Sequence, residues 1–174
     1  MINKKYFLKK ILFLIIFQFI FLHKSFTDII KDFNIQGNDR IADETIIMFS
    51  SLKIGDNLSQ DILNEALKSL YYTDYFKNVE ISYENQIVNI NVIENPIIQT
   101  ILIEGIKEKN ISKKISEVTS KIEKYPFVEN KINEQVILLK NILRSYGYYF
   151  VELETSISPN KNNTVDLKYN FNLG

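Results

Sequence analysis

Two pairs of acids, Asp43 with Glu44 and Asp56 with Asp61, have the type and spacing to share a metal ion. Each also stands beside a predicted turn or helix start. Short side-chain oxygens there accept from the first free backbone N–H groups, so local capping is the better reading and no metal site is assigned. His23 is the sole histidine of the chain, and cysteine does not occur. Beyond residue 27 the chain therefore lacks the commonest general base, the commonest zinc ligand and the best nucleophile. No Gly-x-Ser-x-Gly element occurs either. A hydrolase built on a serine–lysine or carboxylate pair is thus the least supported reading, and the sequence predicts no enzyme, no catalytic residue and no cofactor. Without cysteine there is no disulfide framework, which is compatible with an oxidising compartment but does not require one.

The remaining chemistry is that of the backbone, whose N–H and C=O groups can bind wherever a strand is left unpaired. The strands are legible because the chain states its plan twice. Ile35-Gln36-Gly37 closes one short apolar strand and Ile103-Glu104-Gly105 closes another 68 residues later. After the first, Asp43 is a plausible cap for a short helix through Ile46, Ile47 and Phe49 that closes at Gly55. Ser59 can cap a second helix in which Ile62, Leu63, Ala66, Leu67, Leu70 and Tyr71 recur at spacings of three and four. Val79, Ile81 and Tyr83 then alternate with Glu80, Ser82 and Glu84. A turn at Glu84-Asn85-Gln86 leads into Val88, Ile90 and Val92, which completes a hairpin with one wet face.

Pro96, which cannot donate to a ladder, divides the two units. In the second, Ile97 to Ile103 is the first strand. Ile115, Val118 and Ile122 mark a helix interrupted by Pro126, and Val136, Leu139, Leu143 and Tyr146 mark another with Gly147 at its C-terminal end. Val151, Leu153, Thr155 and Ile157 form a strand, a loop over Ser158 to Asn163 turns the chain, and Val165, Leu167, Tyr169 and Phe171 form the last. A repeat of about 70 residues is longer than solenoid units of roughly 20 to 50, so each copy can hold its own core. The expected class is α+β: tandem β-α-α-β-β domains, each a three-stranded mixed sheet with two helices on one face. The glycines serve turns, and Tyr71, Tyr75, Tyr148 and Tyr149 serve packing. Glu80, Glu84, Glu152 and Glu154 lie on the solvated face. Such an open sheet has two edges, which are liabilities and also docking sites for an added strand.

Ahead of the units, Lys4, Lys5, Lys9 and Lys10 precede Ile11 to Leu22, a run of 12 residues apolar except for Gln18, followed by Ser25 and Thr27. That is the order of a secretory signal peptide, and the run is shorter than the roughly 20 residues a spanning helix needs. The expected division is a signal peptide over 1–27 with cleavage after Thr27, a first domain over 28–96 and a second over 97–174. The whole chain carries 21 basic and 21 acidic side chains, but the first 27 residues hold five lysines and no acid, leaving the remainder at net −5. That balance gives no support to nucleic-acid binding, which needs a clustered basic face.

The phrases Phe33-Asn34-Ile35-Gln36-Gly37-Asn38-Asp39-Arg40-Ile41, Gly55-Asp56 and Leu70-Tyr71-Tyr72-Thr73-Asp74-Tyr75-Phe76-Lys77-Asn78-Val79 resemble a POTRA domain, in particular the first in the BamA family of outer-membrane β-barrel assembly factors. The second unit is similar to the next such domain through Ile103-Glu104-Gly105, Leu143-Arg144-Ser145-Tyr146-Gly147-Tyr148-Tyr149 and Val165-Asp166-Leu167. The resemblance implies a periplasmic arm at the outer membrane that receives unfolded β-barrel proteins from chaperones, docks assembly lipoproteins, and serves folding and insertion. It also implies client contact by β-augmentation along the second strand of each unit. On this chain those strands are Val79, Glu80, Ile81, Ser82 and Tyr83, and Val151, Glu152, Leu153, Glu154, Thr155, Ser156 and Ile157. Members of that family continue into a C-terminal barrel, which these 174 residues do not include. The alternative is the POTRA module of a two-partner-secretion transporter, against which stands the missing proline-rich plug helix before the first unit.

Overall fold

The computed structural model describes residues 29–174; the expected signal peptide lies outside the described residues. The first unit runs β1 (Asp32–Gln36), α1 (Asp43–Ser50), α2 (Gln60–Tyr72), β2 (Phe76–Glu84) and β3 (Ile87–Glu94). Asn85 and Gln86 adopt φ of 52° and 69°, the two consecutive positive values of a two-residue hairpin turn whose twist matches the flanking strands. The third strand is central. It pairs antiparallel with β2, setting Ile81 opposite Ile90, and parallel with β1, setting Ile35 beside Ile90. Side chains alternate across the sheet, so Val79, Val88, Ile90 and Val92 enter one core with Ile46, Leu52, Ala66 and Leu70 of the helical layer, while Glu80, Ser82 and Glu84 face water.

The second unit repeats this order with β4 (Ile97–Glu104), α3 (Lys109–Thr119) extended by a 3₁₀ turn over Ser120–Ile122, α4 (Glu129–Ser145), β5 (Glu152–Asn160) and β6 (Thr164–Asn172). The central strand is again the last, with β4 parallel on one side and β5 antiparallel on the other. Ile111, Ile115, Ile132, Leu139 and Leu143 cover Val165, Leu167, Tyr169 and Phe171. Tyr169 is fully buried and donates its hydroxyl hydrogen bond to Gln135 Oε1. A buried polar group without a partner costs more than the bond gains, so these two side chains specify each other across the core.

The repeat is anchored at Gly37 and Gly105. They have φ of 83° and 88°, and a Cβ added at either would overlap the carbonyl oxygen of Val92 or Phe171. The chain leaving the first strand of each unit thus crosses the end of the central strand at backbone contact, which only glycine permits in that conformation. Gly147 ends α4 as expected, at φ 95° with its N–H donating to the Arg144 carbonyl at 3.0 Å. Ser59 caps α2, its side chain accepting from the Ile62 N–H at 3.3 Å.

Several local expectations need correction. The N-cap of α1 is Ala42, and Asp43 is its first helical residue. Asp43 is held instead by Asn38 Nδ2, which donates to it at 2.8 Å and to the Ile41 carbonyl at 2.7 Å. That helix closes at Ser51, with φ 61°, rather than at Gly55, because the Gly55 N–H is drawn to the Ile30 carbonyl at 2.8 Å. The expected loop from Ser158 is strand as far as Asn160, including Pro159, and Val151 falls just before the strand. Tyr149 is 67% exposed and is not packing material.

Candidate functional site

Each sheet has one blunted and one open edge. Along the outer side of the first unit, Ile30 donates to the Asp56 carbonyl at 3.1 Å, and Ile29 bridges to Asn57 just ahead of β1. The matching segment of the second unit does the same for β4: Ile98 donates to the Tyr125 carbonyl at 2.9 Å, Lys124 donates to the Ile98 carbonyl at 2.8 Å, and Ile97 bridges to Pro126. Loops after α1 and α3 therefore plug the entrance to these edges, as folded proteins commonly protect exposed strands. The opposite edges are β2 and β5, which carry the expected docking residues Val79 to Tyr83 and Glu152 to Ile157.

Pro159 indicates which groups on β5 face outward. It has no N–H, so Pro159 and Val165 form a non-hydrogen-bonded pair in the antiparallel register. Hydrogen-bonded and open pairs alternate, which turns the N–H and C=O of Ile157, Thr155 and Leu153 away from β6. Their side chains share a face with the core, yet Leu153 is half-buried, Thr155 is exposed and Ile157 is 45% exposed. The core-side face of the strand therefore leaves apolar side chains partly open to solvent. The open face of the same strand carries the exposed acids Glu152 and Glu154.

The β2 edge is built differently. The Val79 N–H points outward and donates to Tyr71 Oη at 3.1 Å, and that hydroxyl donates to Asn78 Oδ1 at 3.2 Å. By the period of two, Ile81 also faces outward. Val79 and Phe76 are buried beneath the helical layer, so less apolar surface stays open along this edge than along β5. The role of Tyr71 escaped the sequence, which groups it with the core aromatics; the residue is 41% exposed and its hydroxyl reaches over the strand edge. Tyr75 does pack as expected, stacked on Phe49 with ring centroids 5.8 Å apart.

The acid pairs do not converge. Asp43 accepts from Asn38, as above, and Asp56 Oδ2 accepts from the Lys53 N–H at 2.8 Å. Among the described residues no group of three or more metal-ligating side chains gathers. Contrary to the expectation that no Ser-x-x-Lys element occurs, two such spacings are present, Ser50 to Lys53 and Ser158 to Lys161, but they make no activated serine. Ser50 Oγ is buried, donating to the Ile47 carbonyl at 2.7 Å and accepting from the Leu52 N–H at 3.2 Å, and no hydrogen bond joins Ser158 to Lys161. No helix among the described residues is long and apolar enough to cross a membrane.

The POTRA family model, described as a surface antigen variable number repeat, matches twice, over residues 29–95 and 96–174. Among curated relatives, the outer membrane protein assembly factor BamA of Neisseria meningitidis serogroup B is 24% identical over 147 residues, 83% of this chain and 18% of that protein. The outer membrane protein assembly factor BamA of Neorickettsia risticii is 28% identical over 82 residues, 47% of this chain and 11% of that protein. The chain thus spans less than a fifth of the length of these relatives. The N-terminal domain of Omp85 from the thermophilic cyanobacterium Thermosynechococcus elongatus shares the fold, with a TM-score of 0.55 at 12% identity, covering 81% of this chain and 61% of that one.

Proposed function

The chain belongs to the POTRA family, and on that premise we propose that it is the periplasmic arm of a BamA-like outer-membrane assembly factor. Residues 1–27 export it, and units 28–96 and 97–174 hold unfolded β-barrel clients for folding and insertion while docking chaperones and assembly lipoproteins. Contact is by β-augmentation on β2 and β5, without catalysis. The observation that carries this reading is the pair of unplugged edge strands, one in each matched unit, beside plugged edges on the opposite sides. Backbone pairing suits such clients because every non-proline residue offers the same donor and acceptor. The relatives' name, outer membrane protein assembly factor, supports the same task.

A backbone NMR titration of the chain with an extended peptide of alternating apolar residues tests it. Shifts gathered on Val79 to Tyr83 or Val151 to Ile157 are expected. Proline in place of Ile81 or Leu153 removes an outward donor while leaving the hairpin bonds, so each variant should remain folded and lose the response on its own edge. A peptide that shifts neither strand at millimolar concentration would mean that the units serve as a spacer or a dock for folded partners.

A further inference from the structure

The two edges are not equivalent, and we infer that β5 is the resident client acceptor whereas β2 is held closed by Tyr71. This rests on the augmentation reading above and assigns the work between its two strands. Val79 and Leu153 occupy matching positions: each faces, across its hairpin, the central-strand residue whose carbonyl overlies the anchoring glycine, Val92 for Gly37 and Phe171 for Gly105. The outward N–H of Val79 is already engaged by the Tyr71 hydroxyl, so a strand arriving at β2 must displace that bond before it forms its own. The helix residue matching Tyr71 is Arg144, which follows Leu143 as Tyr71 follows Leu70. Arg144 donates to Asn141 Oδ1 at 3.2 Å and leaves Leu153 uncapped.

The surroundings of β5 also define the occupant. Leu153, Thr155 and Ile157 present three outward peptide groups, and Pro159 ends the row because it has no donor. An added strand places alternate side chains beside the half-buried Leu153 and the exposed Ile157, where apolar residues gain by burial. The intervening side chains lie across from Glu152 and Glu154, where opposite charge is favoured and like charge opposed. The partner is therefore an extended segment with apolar residues at every second position and basic residues between them.

The test follows amide shifts and amide exchange on addition of two synthetic peptides, one alternating valine with lysine and the other valine with glutamate. In the unaltered chain the lysine peptide should act on Leu153, Thr155 and Ile157, with binding at Val79 and Ile81 about three- to tenfold weaker, the worth of one displaced hydrogen bond. Tyr71→Phe should strengthen binding at β2 by the same factor and leave β5 unchanged; Thr155→Pro should abolish the β5 response in a chain that keeps its dispersed spectrum. The lysine peptide should bind better than the glutamate peptide at low salt, with the difference shrinking as salt rises. Equal binding at both edges, or no change at β2 in Tyr71→Phe, overturns this assignment while augmentation stands. No response at either edge in any variant overturns augmentation and this assignment together. A preference for the glutamate peptide overturns the charge rule for the occupant.

Discussion

Glu94 shows how one side chain can hold a loop, and its ionisation can be followed. Its carboxylate closes β3 and accepts from the N–H groups of Asp39, Arg40 and Ile41, each at 3.0 Å, and from Arg40 Nε at 3.1 Å. Burial by itself would raise its pKa. The three backbone donors, from Ile41, Arg40 and Asp39, and the Arg40 charge outweigh burial and hold the carboxyl below the usual glutamate value. A group whose pKa is depressed on folding contributes stability above its unfolded value and loses it as pH falls through the folded one. The first unit should therefore weaken below about pH 4.5, and Glu94→Gln should flatten that decline and cost about 1–3 kcal/mol at neutral pH. Urea unfolding of both forms between neutral and acid pH measures this, and identical acid slopes would remove Glu94 from the account. Gly37→Ala and Gly105→Ala should each cost about 2–4 kcal/mol, combining a left-handed backbone penalty with an overlap that the central strand cannot relieve. In the same experiment Gly147→Ala should cost less, since nothing lies within 4 Å of its added Cβ.

At the scale of elements, the helix start at Ser59 gives a small and clean effect: Ser59→Ala should destabilise the first unit by about 1 kcal/mol in the same denaturant experiment, because one N–H loses its acceptor. That cap was legible in the sequence, as were the alternation through Val79 to Tyr83, the stripe from Ala66 to Leu70 and the helix stop at Gly147. These signals are local, set by neighbours within one or two turns of chain. Alternation fixes the face a side chain occupies but says nothing of the strand's neighbour, so the parallel pairing of β1 with β3 had to come from the structure. Distance in sequence hid the Glu94 clamp, whose partners lie more than 50 residues away. Pro159 was misread as loop because its tolerance depends on facing outward from an edge, a property of the sheet rather than of the dipeptide. The second strand of each unit does lie at a sheet edge, but the difference between the two edges was not legible. Tyr71 is one residue beyond Leu70 on an otherwise ordinary helical stripe, and only the tertiary path of β2 brings the Val79 N–H to its hydroxyl.

At the scale of the whole molecule, the question is how far the two units move about Pro96. The linker is bound at almost every polar group. Glu94 is clamped as described; the Asn95 N–H donates to the Tyr75 carbonyl at 2.7 Å and its side chain to the Asp74 carbonyl at 2.8 Å; the Pro96 carbonyl accepts from Phe127 at 2.7 Å. Besides the Phe127 bond to Pro96, two polar contacts among the described residues cross between units: Asn163 Nδ2 donates to the Glu94 carbonyl at 3.3 Å, and the Lys131 ammonium pairs with the Asp74 carboxylate. The cross-unit ion pair is largely exposed on the lysine side, and such pairs contribute about 0–1 kcal/mol. Asn95 is buried, so losing its amide leaves a poorly hydrated carbonyl at Asp74, worth about 1–3 kcal/mol. The linker bonds, not the ion pair, should therefore govern the hinge. Small-angle scattering of the chain should give one narrow spread of inter-unit distances, little altered by Lys131→Ala or by high salt, and broadened by Asn95→Ala. A broad spread in the unaltered chain would contradict a restrained hinge, and broadening by Lys131→Ala alone would move its control from the buried linker to the surface pair.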